Sequence, residues 1–112
     1  MNADDPLSSC FAIGHEKVKW FGLEHCATDT DAPTGVYHDG AYCPVCHAPM
    51  AYDYVHYNHI GAYRCTKCGH ARPKPDYAAT ALNLTEGALT LDGRFTVKLA
   101  FRSIYNVYNI LA

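Results

Sequence analysis

Two Cys-x-x-Cys pairs constrain the fold of this chain more than any other feature. Cys43 and Cys46 form the first pair, Cys65 and Cys68 form the second, and 18 residues separate the pairs. Two residues between thiols let a tight turn direct both sulfurs at one point, and a second such turn completes a tetrahedron around zinc. Four thiolates fill that shell, so we predict a structural metal, with rubredoxin-like iron as the alternative.

The residues between the pairs have the alternating pattern of a β-hairpin. Tyr52, Tyr54 and His56 alternate with their neighbours, and Gly61 is the predicted site of chain reversal. We therefore predict a zinc ribbon over residues 41–74, to which the metal supplies folding free energy on the order of 10 kcal/mol.

We call the two Cys-x-x-Cys turns the knuckles. The sequence also allows predictions for three residues close to them. Gly69 permits the positive φ that such a turn needs after its last ligand. His47 and His70 each lie close to a ligand cysteine, where a role beside the ligands or on the surface is expected.

Composition excludes several classes of protein. The 112 residues carry nine basic and eleven acidic side chains, a net charge of −2, which argues against nucleic-acid binding. No apolar run reaches the length of a membrane span, and the N-terminus "MNADDPLSSCFAIG" is acidic rather than signal-like. We expect a cytoplasmic chain, in which the unpaired Cys10 and Cys26 are small buried hydrophobes.

The first forty residues predict one helix, one strand and a loop. Asp5 before Pro6 is a helix-start signal, and the helix is expected to run to about Ile13. "KVKWFGL" is typical of a strand. Residues 25–40 are rich in turn-forming residues and predict a loop. That loop carries three carboxylates that are expected to be solvated: Asp29, Asp31 and Asp39.

The C-terminal part predicts a β-meander and a helix. "HARPKPDY" is typical of an extended linker on which Arg72 and Lys74 are solvated. Apolar residues then alternate on both sides of Asp92-Gly93, a strong signal for a two-residue hairpin turn. In "SIYNVYNILA" the spacing of the apolar residues indicates one face of a helix. These are Ile104, Val107, Tyr108 and Leu111.

Three segments together resemble the Mur ligase family, in the order found in its MurT type. They are "NADDPL" at the N-terminus, the ribbon with "CPVC" and "YRCTKCGHARPKPD", and "IYNVYNILA" at the C-terminus. The resemblance implies an α+β, β-rich fold. An antiparallel β-meander with a short helix at each end, residues 1–40 and 75–112, is part of the Mur ligase central domain, and the four-cysteine zinc ribbon is inserted into it.

The family resemblance also implies a function. A MurT-type enzyme is an ATP- and Mg²⁺-dependent ligase that, with a glutaminase subunit, amidates the α-carboxylate of D-glutamate in lipid II through an acyl phosphate. Asn109 matches the family asparagine that contacts adenine, and Asn106 matches the first asparagine of the same motif, with helix capping as the alternative role. Asn2, Asp4 and Asp5 match a motif near the nucleotide site.

The sequence also departs from the family pattern. "Phe101-Arg102-Ser103-Ile104" stands where the family has Leu-Pro-Gly, and no G-x-x-G-K-[ST] phosphate loop is present. We therefore expect a piece of a larger ligase that is inactive alone, with no catalytic residue of its own. The alternative is a free-standing zinc-ribbon module that binds protein or RNA, with Tyr52, Tyr54, Tyr57 and Tyr63 available for stacking.

Overall fold

The chain forms six strands and two short helices, and the computed structural model describes all of residues 1–112. In chain order these are α1 (Pro6–Cys10), β1 (Phe21–Leu23), β2 (Met50–Tyr57), β3 (Ile60–Cys65), β4 (Tyr77–Asn83), β5 (Ala88–Leu91), β6 (Phe95–Lys98) and α2 (Ile104–Leu111). Neither helix has the length and apolar character needed to cross a lipid bilayer. The predicted α+β, strand-rich fold is confirmed.

The larger sheet has the strand order β1-β4-β5-β6. Strands β4, β5 and β6 form the predicted antiparallel meander, with Leu89 opposite Val97. Strand β1 adds to β4 in parallel, which no pattern in the sequence predicted. Between these two paired strands, residues 24–76 leave the sheet and form the second, two-stranded sheet β2-β3.

The hydrophobic core lies between helix α2, the larger sheet and the β2–β3 hairpin. Helix α2 contributes Val107 and Tyr108, which pack against residues of the sheet, the loop after β1 and the turn end of the β2–β3 hairpin. The buried members of this cluster are Leu23, Cys26, Ile60, Ala79, Leu89, Val107 and Tyr108. The predicted apolar face of α2 is therefore confirmed.

Helix α1 and strand β1 are shorter than the sequence predicted. Helix α1 begins as expected, because Asp5 accepts a hydrogen bond from Leu7 N at 2.9 Å, but it ends at Cys10 rather than near Ile13. Strand β1 covers only the last three residues of "KVKWFGL". At the far edge of the sheet, β6 is largely exposed, and Phe95 keeps 66% of its surface.

Two predicted turns differ in detail. The β2–β3 hairpin turns at Asn58 and His59, with Asn58 at φ 48°, so the reversal expected at Gly61 was misplaced. Asp92 and Gly93 both adopt positive φ, as the central residues of a type I′ turn do. The first residue pair beyond them, however, is Leu91 with Phe95. The loop therefore holds three residues rather than two.

A candidate metal centre and the polar networks beside it

The structure brings the four paired cysteines together in one cluster. Their sulfur atoms all lie within 4.8 Å of one another, and no disulfide links any of them. The Sγ atoms of Cys43 and Cys68 are 3.5 Å apart, as are those of Cys46 and Cys65. Zinc–sulfur bonds of about 2.3 Å at tetrahedral angles separate sulfurs by about 3.8 Å, so this donor set fits a tetrahedral metal ion.

The two Cys-x-x-Cys turns have the same backbone construction. After the second cysteine of each turn the chain adopts a left-handed conformation, at His47 (φ 60°) and at Gly69 (φ 78°). The predicted positive φ of Gly69 is confirmed. Each turn is closed by a backbone bond: Cys43 N donates to Ala48 O at 2.8 Å, and Cys65 N donates to His70 O at 2.7 Å.

Backbone N–H groups point at the sulfur of Cys65. Cys68 N and Lys67 N each donate to this atom at 3.3 Å, and these bonds, together with those from the thiols of Cys46 and Cys68, lower the pKa of the Cys65 thiol. Since the thiolate is the form that binds a metal, the turn prepares a ligand.

Neither nearby histidine belongs to the sulfur cluster. His47 is exposed, whereas His70 Nε2 lies 3.2 Å from Pro6 O and 3.2 Å from Ser9 Oγ. The Tyr63 hydroxyl also donates to Ser9 Oγ. These contacts attach the ribbon to helix α1.

The ribbon tyrosines contact the rest of the fold. Tyr63 is 2% exposed, and the Tyr52 hydroxyl donates to Gly40 O at 3.0 Å. Burial raises the pKa of Tyr52 and of Tyr54 to about 12. Their rings therefore serve packing, and nothing in this arrangement favours the RNA-binding alternative.

Asp4 is the centre of a buried polar network. Its carboxylate has no solvent exposure and accepts hydrogen bonds from Leu23 N and the Tyr108 hydroxyl at 2.7 Å, and from Arg72 Nε at 2.6 Å. Burial, together with the Asp4 charge, raises the pKa of the Tyr108 phenol. The network joins the N-terminal segment, the exit from the ribbon and helix α2.

The expectation of a solvated Arg72 was wrong. Its side chain is 13% exposed, and it also donates to Leu23 O at 3.1 Å. The reason is the buried Asp4 carboxylate, which needs a charged partner. Lys74, its neighbour on the same segment, is exposed as expected.

Asn106 and Asn109 lie together on α2 and apart from the cysteine cluster. Asn109 Nδ2 donates to Asn106 Oδ1 at 3.2 Å, and Asn109 is exposed. Ser103 occupies the N-cap position of α2, so neither asparagine caps this helix. Their expected contact with adenine stays a prediction.

A second cluster of potential metal ligands was missed in the sequence. Asp29 was expected to be solvated, but its side chain is 1% exposed and its Oδ1 lies 2.6 Å from His56 Nδ1. Cys26 is buried as expected, and its Sγ also donates to Asp29 Oδ1 at 2.9 Å. Asp31 and Asp39 are exposed. The available signal was the spacing Cys26-x-x-Asp29, which repeats that of the knuckles.

Comparison with known proteins identifies the family. No family model matches the sequence. The MurT subunit of lipid II isoglutaminyl synthase (glutamine-hydrolyzing) from Staphylococcus aureus is 32% identical over 114 residues, and that from Streptococcus pneumoniae is 31% identical over 118 residues. Both alignments cover 100% of this chain but 25% of the relative, so the chain spans about a quarter of the length of these curated relatives.

A solved structure has the same fold. A pseudomurein peptide ligase type C from Methanothermus fervidus superposes with a TM-score of 0.77 and 30% identity, over 99% of this chain and 22% of that chain. Together, the fold and the sequence matches show that the chain resembles a segment of ligases of the Mur type. Within that class, the matches to MurT subunits support a MurT-type Mur ligase fragment.

Proposed function

We propose that this chain is a zinc-ribbon-bearing part of the central domain of a MurT-type synthetase. The parent enzyme is an ATP-dependent ligase of cell-wall peptidoglycan synthesis. It converts the α-carboxylate of D-glutamate in lipid II to an amide, giving D-isoglutamine, with ammonia from a glutaminase subunit. The observation that carries the proposal is the end-to-end match to MurT subunits at 32% identity.

The cysteine cluster serves a structural role in this proposal. Cys43, Cys46, Cys65 and Cys68 would hold one Zn²⁺, which cross-links the two knuckles and supplies no reaction chemistry because its shell is closed. Residues 41–74 then form the inserted ribbon, and residues 1–40 and 75–112 form the central-domain lobe. The direct pairing of β1 with β4 supports this division, since the sheet is continuous across the insertion.

Helix α2 would carry the adenine contact of the ligase. Asn109 is exposed, and its amide offers both a donor and an acceptor, as the edge of adenine requires. Asn106 accepts from Asn109 at 3.2 Å and would orient that amide. The sequence holds no phosphate loop, so groups outside it would bind the phosphates and Mg²⁺, and the 112 residues alone would not turn over ATP.

Reconstitution tests the proposal directly. The intact synthetase that contains this chain is combined with a glutaminase subunit, lipid II, ATP, Mg²⁺ and glutamine, and the lipid II product is analysed by mass spectrometry. We expect conversion of one carboxylate to a carboxamide, dependent on ATP and on both proteins. An unchanged lipid II under conditions in which the glutaminase releases ammonia contradicts the proposed activity.

A further inference from the structure

The loop after β1 and strand β2 form a second cluster of metal-ligand side chains, independent of the ligase assignment. Cys26 and Asp29 come from the loop, and His56 comes from the strand. Their donor atoms lie within 4.8 Å of one another, and all three residues are buried or nearly so. Backbone bonds fix the loop against the strand, because Thr30 and Val55 exchange both N–H···O bonds, at 2.9 and 2.8 Å.

The hydrogen bond on the far side of His56 fixes which ring nitrogen is protonated. His56 Nε2 lies 3.0 Å from Leu23 O, and a carbonyl oxygen can only accept, so Nε2 carries the hydrogen. In a neutral ring, Nδ1 is then an acceptor, yet it faces the Asp29 carboxylate at 2.6 Å. Two acceptors at this distance need a cation between them, either a proton or a metal ion.

The hydrogen bonds around this cluster are of the kind that orient metal ligands. Metal-binding histidines almost always donate their second ring N–H to a carbonyl or carboxylate, as His56 does to Leu23. The Asp29 carboxylate is also oriented, because its Oδ2 accepts from Cys26 N at 2.7 Å. A thiolate, a carboxylate and an imidazole are the three ligand types that zinc uses in proteins.

The three donor atoms already lie at hydrogen-bond distances, close to the positions that a shared ion would require. Cys26 Sγ lies 2.9 Å from Asp29 Oδ1 and 4.0 Å from His56 Nδ1, and the third side of the triangle is 2.6 Å. Zinc bonds of about 2 Å at tetrahedral angles separate oxygen and nitrogen donors by about 3.3 Å, so the ion would move Asp29 Oδ1 and His56 Nδ1 apart by about 0.7 Å. Cys26, Asp29 and His56 would hold the ion through one sulfur, one oxygen and one nitrogen atom.

We propose that Cys26, Asp29 and His56 bind a second divalent ion of the zinc type, separate from the four-cysteine site. Binding would release the Cys26 thiol proton and the proton shared by Asp29 and His56, and would place the ion between the Asp29 carboxylate and the His56 ring. This site ties the loop after β1 to β2.

Zinc stoichiometry tests the second site. The intact chain is loaded with Zn²⁺, desalted and subjected to elemental analysis. We expect two zinc ions per chain, one fewer in Asp29→Asn, and two in the control Asp31→Asn, whose carboxylate is exposed on the same loop. Equal zinc contents in the two variants, or one ion in the unmodified chain, overturn the proposal.

Cadmium NMR of the unmodified chain provides a measurement that does not depend on the folding of a variant. Cadmium resonances move upfield as oxygen and nitrogen replace sulfur in the shell. Two resonances are expected, one from four sulfurs and one upfield from the mixed site. A single resonance from a four-sulfur site overturns the proposal.

Discussion

Arg72 Nε donates to Asp4 Oδ1 across 2.6 Å and thereby joins two residues 68 positions apart. The pair connects the segment that leaves the ribbon to the N-terminal residues. Because Asp4 also accepts from Tyr108, the contact reaches helix α2. The ribbon exit and the proposed nucleotide-contacting helix are thus fixed to the same carboxylate.

Removal of Arg72 is predicted to destabilise the fold strongly. In Arg72→Ala the fully buried Asp4 carboxylate loses its charged partner, and breaking a buried pair in this way costs about 3–5 kcal/mol. Denaturant unfolding measures the loss. Lys74→Ala is the matched control, since Lys74 is exposed on the same segment and its loss should stay within about 0.5 kcal/mol. Equal stabilities of the two variants contradict the role of the network.

Asp5 is predicted to make stability depend on acid pH. Burial alone would raise its pKa, but hydrogen bonds from His59, Ser8 and Leu7 N lower the pKa below 3.8. A depressed pKa in the folded state gives stability that is fully present above the unfolded value, about 3.9, and is lost as pH falls through the folded value.

The substitution Asp5→Asn isolates this effect, because asparagine also caps helices but carries no charge. The unmodified chain should be more stable than the variant near neutral pH, and the difference should close on acidification. Urea unfolding of both proteins at neutral pH and at a pH below about 3.9 provides the comparison. Acid-induced metal loss affects both proteins alike. A difference that does not change with pH would show that the Asp5 charge is not responsible.

Gly61 is predicted to tolerate no side chain. A Cβ at this position would collide with the carbonyl oxygen of Tyr54 and lie 2.8 Å from the Cα of Val55, and backbone atoms cannot move away cheaply. Gly61→Ala should cost about 1–3 kcal/mol or more. Gly14→Ala is the matched control, because nothing lies within 4 Å of a Cβ there and only its φ of +85° is unfavourable, about 1–2 kcal/mol. A smaller loss at Gly61 than at Gly14 would contradict the clash.

Asn109→Ala is predicted to weaken ATP binding by the intact synthetase without destabilising it. The side chain is exposed, and its only side-chain bond is that to Asn106 at 3.2 Å. Loss of a contact made equally in the ground and transition states raises KM for ATP and leaves kcat unchanged. Steady-state kinetics with varied ATP measures both. A fall in kcat at unchanged KM would show that Asn109 does not act through adenine binding.

The sequence predicted those structural elements whose contacting residues lie close together in the chain or belong to one motif. The spacing of Cys43, Cys46, Cys65 and Cys68 was sufficient to anticipate the cluster, because each pair is a self-contained turn. The period of "IYNVYNIL" predicted α2, since its buried face repeats with the helical turn.

The contacts that were missed all join distant residues. Asp29 lies among polar loop residues, and its contact with His56, 27 positions away, could not be read from that loop. Arg72 resembled a solvated linker charge, because its partner Asp4 lies 68 positions earlier in the chain. The parallel pairing of β1 with β4 spans the whole ribbon. No pattern within either short segment encodes these pairings.

The most direct test of the account is an anomalous-difference map at the zinc edge, from crystals of the intact chain. We expect a peak about 2.3 Å from each of the four sulfurs of Cys43, Cys46, Cys65 and Cys68. A map without a peak there, or density that joins any of these sulfurs in a disulfide, would contradict it.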